Sequence, residues 1–148
     1  MTSQTIPALP LEDIQLQVEE RMENIEPLRT LGNFLEIKVH ANGVIEVSGP
    51  VQSRLIKSFV IQALKDIPGI HEVEDQIVAD PDLELEIAQA LAMDDRTRDI
   101  PPGGIFVRSH MGVITLYGNL PPGTLLQDIL DVVSSVGAVR DVQVRLHS

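Results

Sequence analysis

The sequence predicts an α+β chain of two repeated α-β-β-α-β modules. Each is a three-stranded mixed sheet with two helices on one face, and the two pack as a pseudo-symmetric pair. Three observations predict it. Shifted by 69 positions, the 148-residue chain lies on itself over most of its length, apolar on apolar and glycine on glycine. Within each copy, apolar residues recur first at helical spacing and then in alternation. The composition, 43% apolar and 22% charged, is that of a folded chain.

The elements follow in order. Residues 1–10 hold two prolines among small polar residues and read as a loose tail or extended arm. Module 1 is placed at residues 11–80 and module 2 at 81–148. Ile14, Val18, Met22 and Ile25 form the apolar stripe of a first helix, matched in the second copy by Leu83, Ile87 and Leu91. Pro81-Asp82 opens that second copy with an acid where the helix dipole favours one. Strands are expected at residues 35–41 and 44–48, joined by Asn42-Gly43, a strong hairpin signal because both residues tolerate positive φ. Met111-Gly112 holds that place in module 2 with weaker turn chemistry. Gly49 and Gly118 are expected to end the second strand, where a bend or close approach excludes a side chain. Second helices are expected at 53–66 and 124–135, the latter entered tightly through Pro121-Pro122-Gly123. Closing strands at 71–78 and 140–147 follow, and strand–helix–strand order favours parallel pairing. Phe59 and Phe106 are expected in the core, whereas Tyr117 falls on the open sheet face, where it would line a groove or an intermodule contact.

Lys plus Arg number 11 and Asp plus Glu 22, a net charge of −11. That mean field repels nucleic acid and anionic bilayers, although a local basic patch remains compatible with it. With no cysteine, disulfides, thiol catalysis and thiolate metal sites are excluded together. The N-terminus has neither the basic start nor the apolar run of a secretory signal, and no stretch approaches a membrane span, so the expected location is cytoplasmic. His40, His71, His110 and His147 form no metal-ligand spacing. No nucleophile elbow, phosphate-binding glycine loop or catalytic triad order is present, so neither enzyme nor cofactor is implied. Glu72, Glu74 and Asp75 are the candidate cation cluster, since hard cations want several oxygens. Asp75 has the apolar-facing parity of its strand, where module 2 has Val144. It reads as a cap on a neighbouring backbone group, with ligand contact as the rival role.

The run Asn42-Gly43-Val44-Ile45-Glu46-Val47-Ser48-Gly49-Pro50-Val51 resembles the central signature of the BON domain, a small bacterial module often found in tandem. Gly69-Ile70-His71-Glu72-Val73-Glu74-Asp75-Gln76-Ile77 resembles its closing segment, and Gly112-Val113-Ile114-Thr115-Leu116-Tyr117-Gly118 repeats the signature. Ala138 departs from the closing glycine at Gly69, and Val144 departs from Asp75. Gly43, Gly49, Gly69, Gly112 and Gly118 carry the structural motif. The resemblance implies a binding module for phospholipid surfaces or other apolar ligands. Some cytoplasmic relatives joined to a LysM domain are linked to potassium sensing, and this chain has no room for such a domain.

The expected function is therefore non-enzymatic recognition of a ligand, lipid surface or protein partner through a groove or exposed sheet face. Tyr117 and Asp75 are the candidate contacts. Sensing of K⁺ or Ca²⁺ is the alternative. Lipid, metabolite or cation are the candidate ligands; nucleic acid is excluded, and membrane contact is disfavoured by charge. A homodimer through a sheet edge is the structural alternative.

Overall fold

The structure is a computed structural model that describes residues 10–147. The expected tail, apart from Pro10, lies outside the described residues. Module 1 contains α1 (Leu11–Glu23), α2 (Glu26–Leu31), β1 (Glu36–Val39), β2 (Val44–Val51), α3 (Arg54–Lys65) and β3 (Glu72–Ala79). Module 2 contains α4 (Asp80–Met93), β4 (Ile105–His110), β5 (Val113–Asn119), α5 (Leu126–Ser134) and β6 (Asp141–His147). Each module has a three-stranded sheet, ordered β1-β2-β3 and β4-β5-β6. The first two strands of each pair antiparallel and the last pairs parallel to the middle one.

Helix α1 buries Ile14, Val18 and Met22. The expected stripe breaks before Ile25, because Pro27 cannot sit inside a continuing helix and instead starts α2 near its N-terminus. Module 1 therefore has three helices, one more than expected. Ser53 caps α3, its hydroxyl accepting from the Ile56 N–H at 3.2 Å. The entry to the matching helix differs from expectation. Pro121–Thr124 form a turn, with the Thr124 N–H donating to the Pro121 carbonyl at 3.2 Å and Gly123 at φ 86°, and α5 starts only at Leu126.

Gly49 and Gly118 do not end their strands. The β2–β3 pairing runs on to Val51↔Ala79, and β5–β6 to Asn119↔His147. The close approach is real, however: a Cβ on Gly49, at φ 126°, would lie 2.7 Å from the Phe34 carbonyl oxygen.

The hairpins reverse the expectation. His40 N–H donates to the Val44 carbonyl at 2.9 Å, so Asn42-Gly43 sits in a three-residue loop with only Gly43 at positive φ. Met111-Gly112, at φ 51° and 81°, makes the two-residue turn between directly paired His110 and Val113. The loops differ by one residue, so β1 and β4 align with an offset of 70 rather than 69. Glu36 opposes Ser48 as Phe106 opposes Tyr117. That shift turns Phe106 outward, 59% exposed, against the expected core position. Phe59 is 50% exposed because the α3 stripe of Ile56, Val60 and Leu64 leaves it on the flank.

The two cores stay separate. One gathers α1, α2, α3 and the inner residues of β2 and β3. The other gathers Leu83, Ile87, Ile114, Leu116, Ile129 and Val133. The modules meet at a polar seam rather than over a shared apolar core.

Candidate functional site

At the seam no residue separates β3 from α4, which begins at Asp80. Asp80 is 6% exposed. Its carboxylate accepts from the Ser109 hydroxyl at 2.7 Å, the Met111 N–H at 2.8 Å and the Gly112 N–H at 3.3 Å. This bond set holds the module 2 turn, where Met111 has a conformation disfavoured for a residue with a Cβ. The Arg140 guanidinium donates to the Met111 carbonyl at 2.9 Å and stacks 3.3 Å from the Phe34 ring centroid. Arg54 of α3 forks onto the Asp82 carboxylate of α4. That pairing lowers the Asp82 pKa and raises that of Arg54.

This seam leaves both open sheet faces exposed, and they differ in chemistry. Strand alternation puts Phe106, Tyr117 and Arg145 in one row across β4, β5 and β6, with Arg108, Thr115 and Gln143 in the next. Phe106 is 59% and Tyr117 39% exposed. His110, Val113, Asn119, Asp141 and His147 complete that face. On module 1 the corresponding rows are Glu36, Ser48, Gln76 and Lys38, Glu46, Glu74, with Glu72 beyond. The module 2 face is thus aromatic and basic, and the module 1 face acidic.

Glu46 and Glu74 are neighbours on that acidic face. A hydrogen bond from His40, whose Nε2 lies 3.2 Å from Glu46, lowers the Glu46 pKa. Glu74 is raised, first by sharing a hydrogen bond with Glu46, then by partial desolvation and the charges of Glu46 and Glu72. As pH falls, the first proton the pair takes up therefore goes to Glu74 rather than Glu46.

Tyr117 lies on the open face of module 2. Asp75 lies on the other side of its sheet: one carboxylate oxygen accepts from the Ile77 N–H at 2.9 Å, and Lys57 is 3.5 Å from the other. The two candidate ligand contacts are therefore not brought together. Glu72 and Glu74 point away from Asp75, and no group of three or more His, Asp or Glu suited to a metal forms among the described residues. Among the motif glycines, Gly43 and Gly112 sit in the turns, and Gly69 has φ 91°. Ala138 keeps that left-handed backbone at φ 72° despite its Cβ.

Two concavities adjoin these faces. A groove of about 660 Å³ runs along the seam between Phe34, Glu36, Gln76, Glu86 and Arg140. A cleft of about 490 Å³ opens beneath β1, lined by Val18, Met22, Leu28, Leu35 and Ile37. The corresponding edge in module 2 is closed by Glu84 of α4, which accepts from the Ser109 N–H at 2.8 Å. Asp80, Arg108 and Arg145 escaped the sequence reading. Strand parity was the available signal for both arginines; for Arg108, on β4, it points the right way only once the one-residue offset is known.

The BON domain family model matches twice, at residues 10–81 and 79–147. Among solved structures, the chain is similar to the C-terminal domain of CdsD, the structural protein of the type III secretion system of Chlamydia trachomatis. Identity is 16% and the TM-score 0.55, over 86% of this chain and 63% of that one. A second CdsD structure from the same organism aligns at 9% identity and a TM-score of 0.39, over 88% and 91% of the two chains. No curated protein matches. No helix among the described residues is long and apolar enough to cross a membrane.

Proposed function

This chain belongs to the BON domain family, carrying the domain twice, and from that premise we propose that it is a non-enzymatic interaction module. Its binding surface is the open sheet face of module 2, which takes an acidic protein surface. The observation that carries this reading is the exposed row of Phe106, Tyr117 and Arg145. Only 3% of the chain is aromatic, and two of its four aromatics stand side by side facing solvent. Aromatic and arginine side chains are the types that dominate binding energy at interfaces. Arg108 and Arg145 give that face positive charge in a chain of net charge −11, which selects an anionic partner and sets its orientation. Recognition is by packing and ion pairing, with no covalent step. An open three-stranded face, with no enclosed cavity on it among the described residues, suits another protein surface.

Binding of the full chain to immobilised poly-glutamate and to phosphatidylglycerol vesicles, with phosphatidylcholine vesicles as control, tests this. Retention on poly-glutamate that fades as salt rises is expected. A Phe106→Ser/Arg145→Ser variant should lose it while melting at the wild-type temperature, because neither side chain is buried. Vesicle binding without poly-glutamate retention would move the surface to lipid. Binding to neither overturns the reading.

A further inference from the structure

We propose that the partner of the module 2 face is the module 1 face of a second copy of this chain, giving head-to-tail self-association. This rests on reading the module 2 face as a binding surface, and it names the occupant.

The argument is charge complementarity between two exposed faces built on the same frame. Both are the helix-free sides of three-stranded sheets with identical strand order. At matching places Glu36 stands for Phe106, Glu46 for Thr115, Glu74 for Gln143 and Gln76 for Arg145. Module 1 thus offers Glu36, Glu46, Glu72 and Glu74 against one lysine, Lys38. Module 2 offers Arg108 and Arg145 against one acid, Asp141. Sheets packed face to face lie about 10 Å apart, a distance at which such side chains meet. Like-charge repulsion disfavours a symmetric dimer through two module 1 faces.

Within one chain, among the described residues, no hydrogen bond or ion pair joins the two faces. The junction has no linker, and the Asp80 bonds, the Arg54–Asp82 pair and the Arg140–Phe34 stack tie the modules at the seam instead. A contact between unlike faces is heterologous, so it propagates from copy to copy into rings or filaments. The surface differs from the sheet edge considered as a dimer contact above, and the β4 edge is already occupied by Glu84.

Sedimentation velocity of the full chain over a range of concentrations and salt is the test. The sedimentation coefficient should climb with concentration beyond that of a dimer at low salt and fall to the monomer value at high salt. Arg108→Glu/Arg145→Glu and Glu46→Lys/Glu74→Lys should each weaken association by about tenfold or more, roughly one lost ion pair's worth. An equimolar mixture of the two should restore it, because each variant supplies the face complementary to the other's altered one. If a double variant fails to fold by circular dichroism, Arg145→Ser and Glu74→Gln provide the same readout in graded form. A wild-type chain that stays monomeric, a variant that still associates, or a mixture of folded variants that does not recover overturns the proposal. A monomeric chain that still binds poly-glutamate overturns the occupant alone and leaves the binding face standing.

Discussion

In module 1, Asn42 and Gly43 turn the chain inside a three-residue loop, and the residues needed lie within the turn itself. In module 2, Met111 and Gly112 make a tighter two-residue turn, and the acceptor for their N–H groups is Asp80, 31 and 32 residues earlier. Module 1 carries Leu11 where the repeat places Asp80. One fold is thus closed once by local turn chemistry and once by a distant buried carboxylate. The difference teaches that weak turn residues signal a missing partner as readily as a missing turn. The closing segments show the same contrast: Gly69 adopts its left-handed backbone freely, whereas Ala138 holds it with a Cβ.

Breaking the longer-range device should have the largest effect. Asp80→Ala leaves two N–H groups and a hydroxyl without their acceptor. It should cost module 2 about 3 kcal/mol, since bonds to charged groups are the stronger kind. Hydrogen exchange should show β5 amides opening sooner and β2 amides unchanged; equal loss in both modules would mean that the seam, not the turn, is what Asp80 holds. Exchanging the closing residues sharpens the second contrast. Gly69→Ala should destabilise module 1 by about 1–2 kcal/mol. Ala138→Gly should stabilise module 2 by up to about 1 kcal/mol, relief of backbone strain exceeding the entropy that glycine adds to the unfolded chain. Melting curves of the two variants should move in opposite directions.

The smallest effect separates the two open faces. Glu74 is held above its ordinary value of 4.5, so the folded chain favours its protonated form, and its ionisation at neutral pH opposes folding. Glu74→Gln should therefore melt slightly higher than wild type at pH 7. As the pH falls through the Glu74 pKa the wild-type residue takes up its proton and the advantage vanishes. An unchanged melting temperature at pH 7 would show that solvent screens the Glu46–Glu74 contact completely.

Much of this architecture was legible because its signals are local. The 69-residue repeat, the mixed sheets and the order of elements apart from α2 follow from apolar periodicity and backbone requirements. What escaped was set by register. The second hairpin loop is one residue shorter than the first, and the resulting shift of β4 decides that Phe106 faces water beside Tyr117. Parity placed Tyr117 on the open face without help. Phe106 and Phe59 stand exposed although aromatic character favours burial, because strand register and helix phase decide which face each one takes. The break at Pro27 was readable, since the proline stands in plain view just past Ile25. Asp80 was not readable, because its partners lie 29 to 32 residues away and no periodicity reports a bond of that span. Similarly, the opposite charges of the two faces emerge only when strands are set side by side, since each row draws one residue from each of three strands.

The span of the Asp80 bonds has a kinetic side. A turn that carries its own chemistry closes on the microsecond scale of an isolated hairpin, which is open to β1 and β2. The β4–β5 hairpin has no such freedom. Its turn becomes favourable only once α4 has docked and presented Asp80, so loop-closure entropy must be met first, and contacts of longer sequence separation form more slowly. During synthesis from the N-terminus, β3 and the start of α4 emerge before that hairpin exists. Asp80 is then already anchored to the finished first module when Met111 and Gly112 arrive, and module 2 assembles against its neighbour.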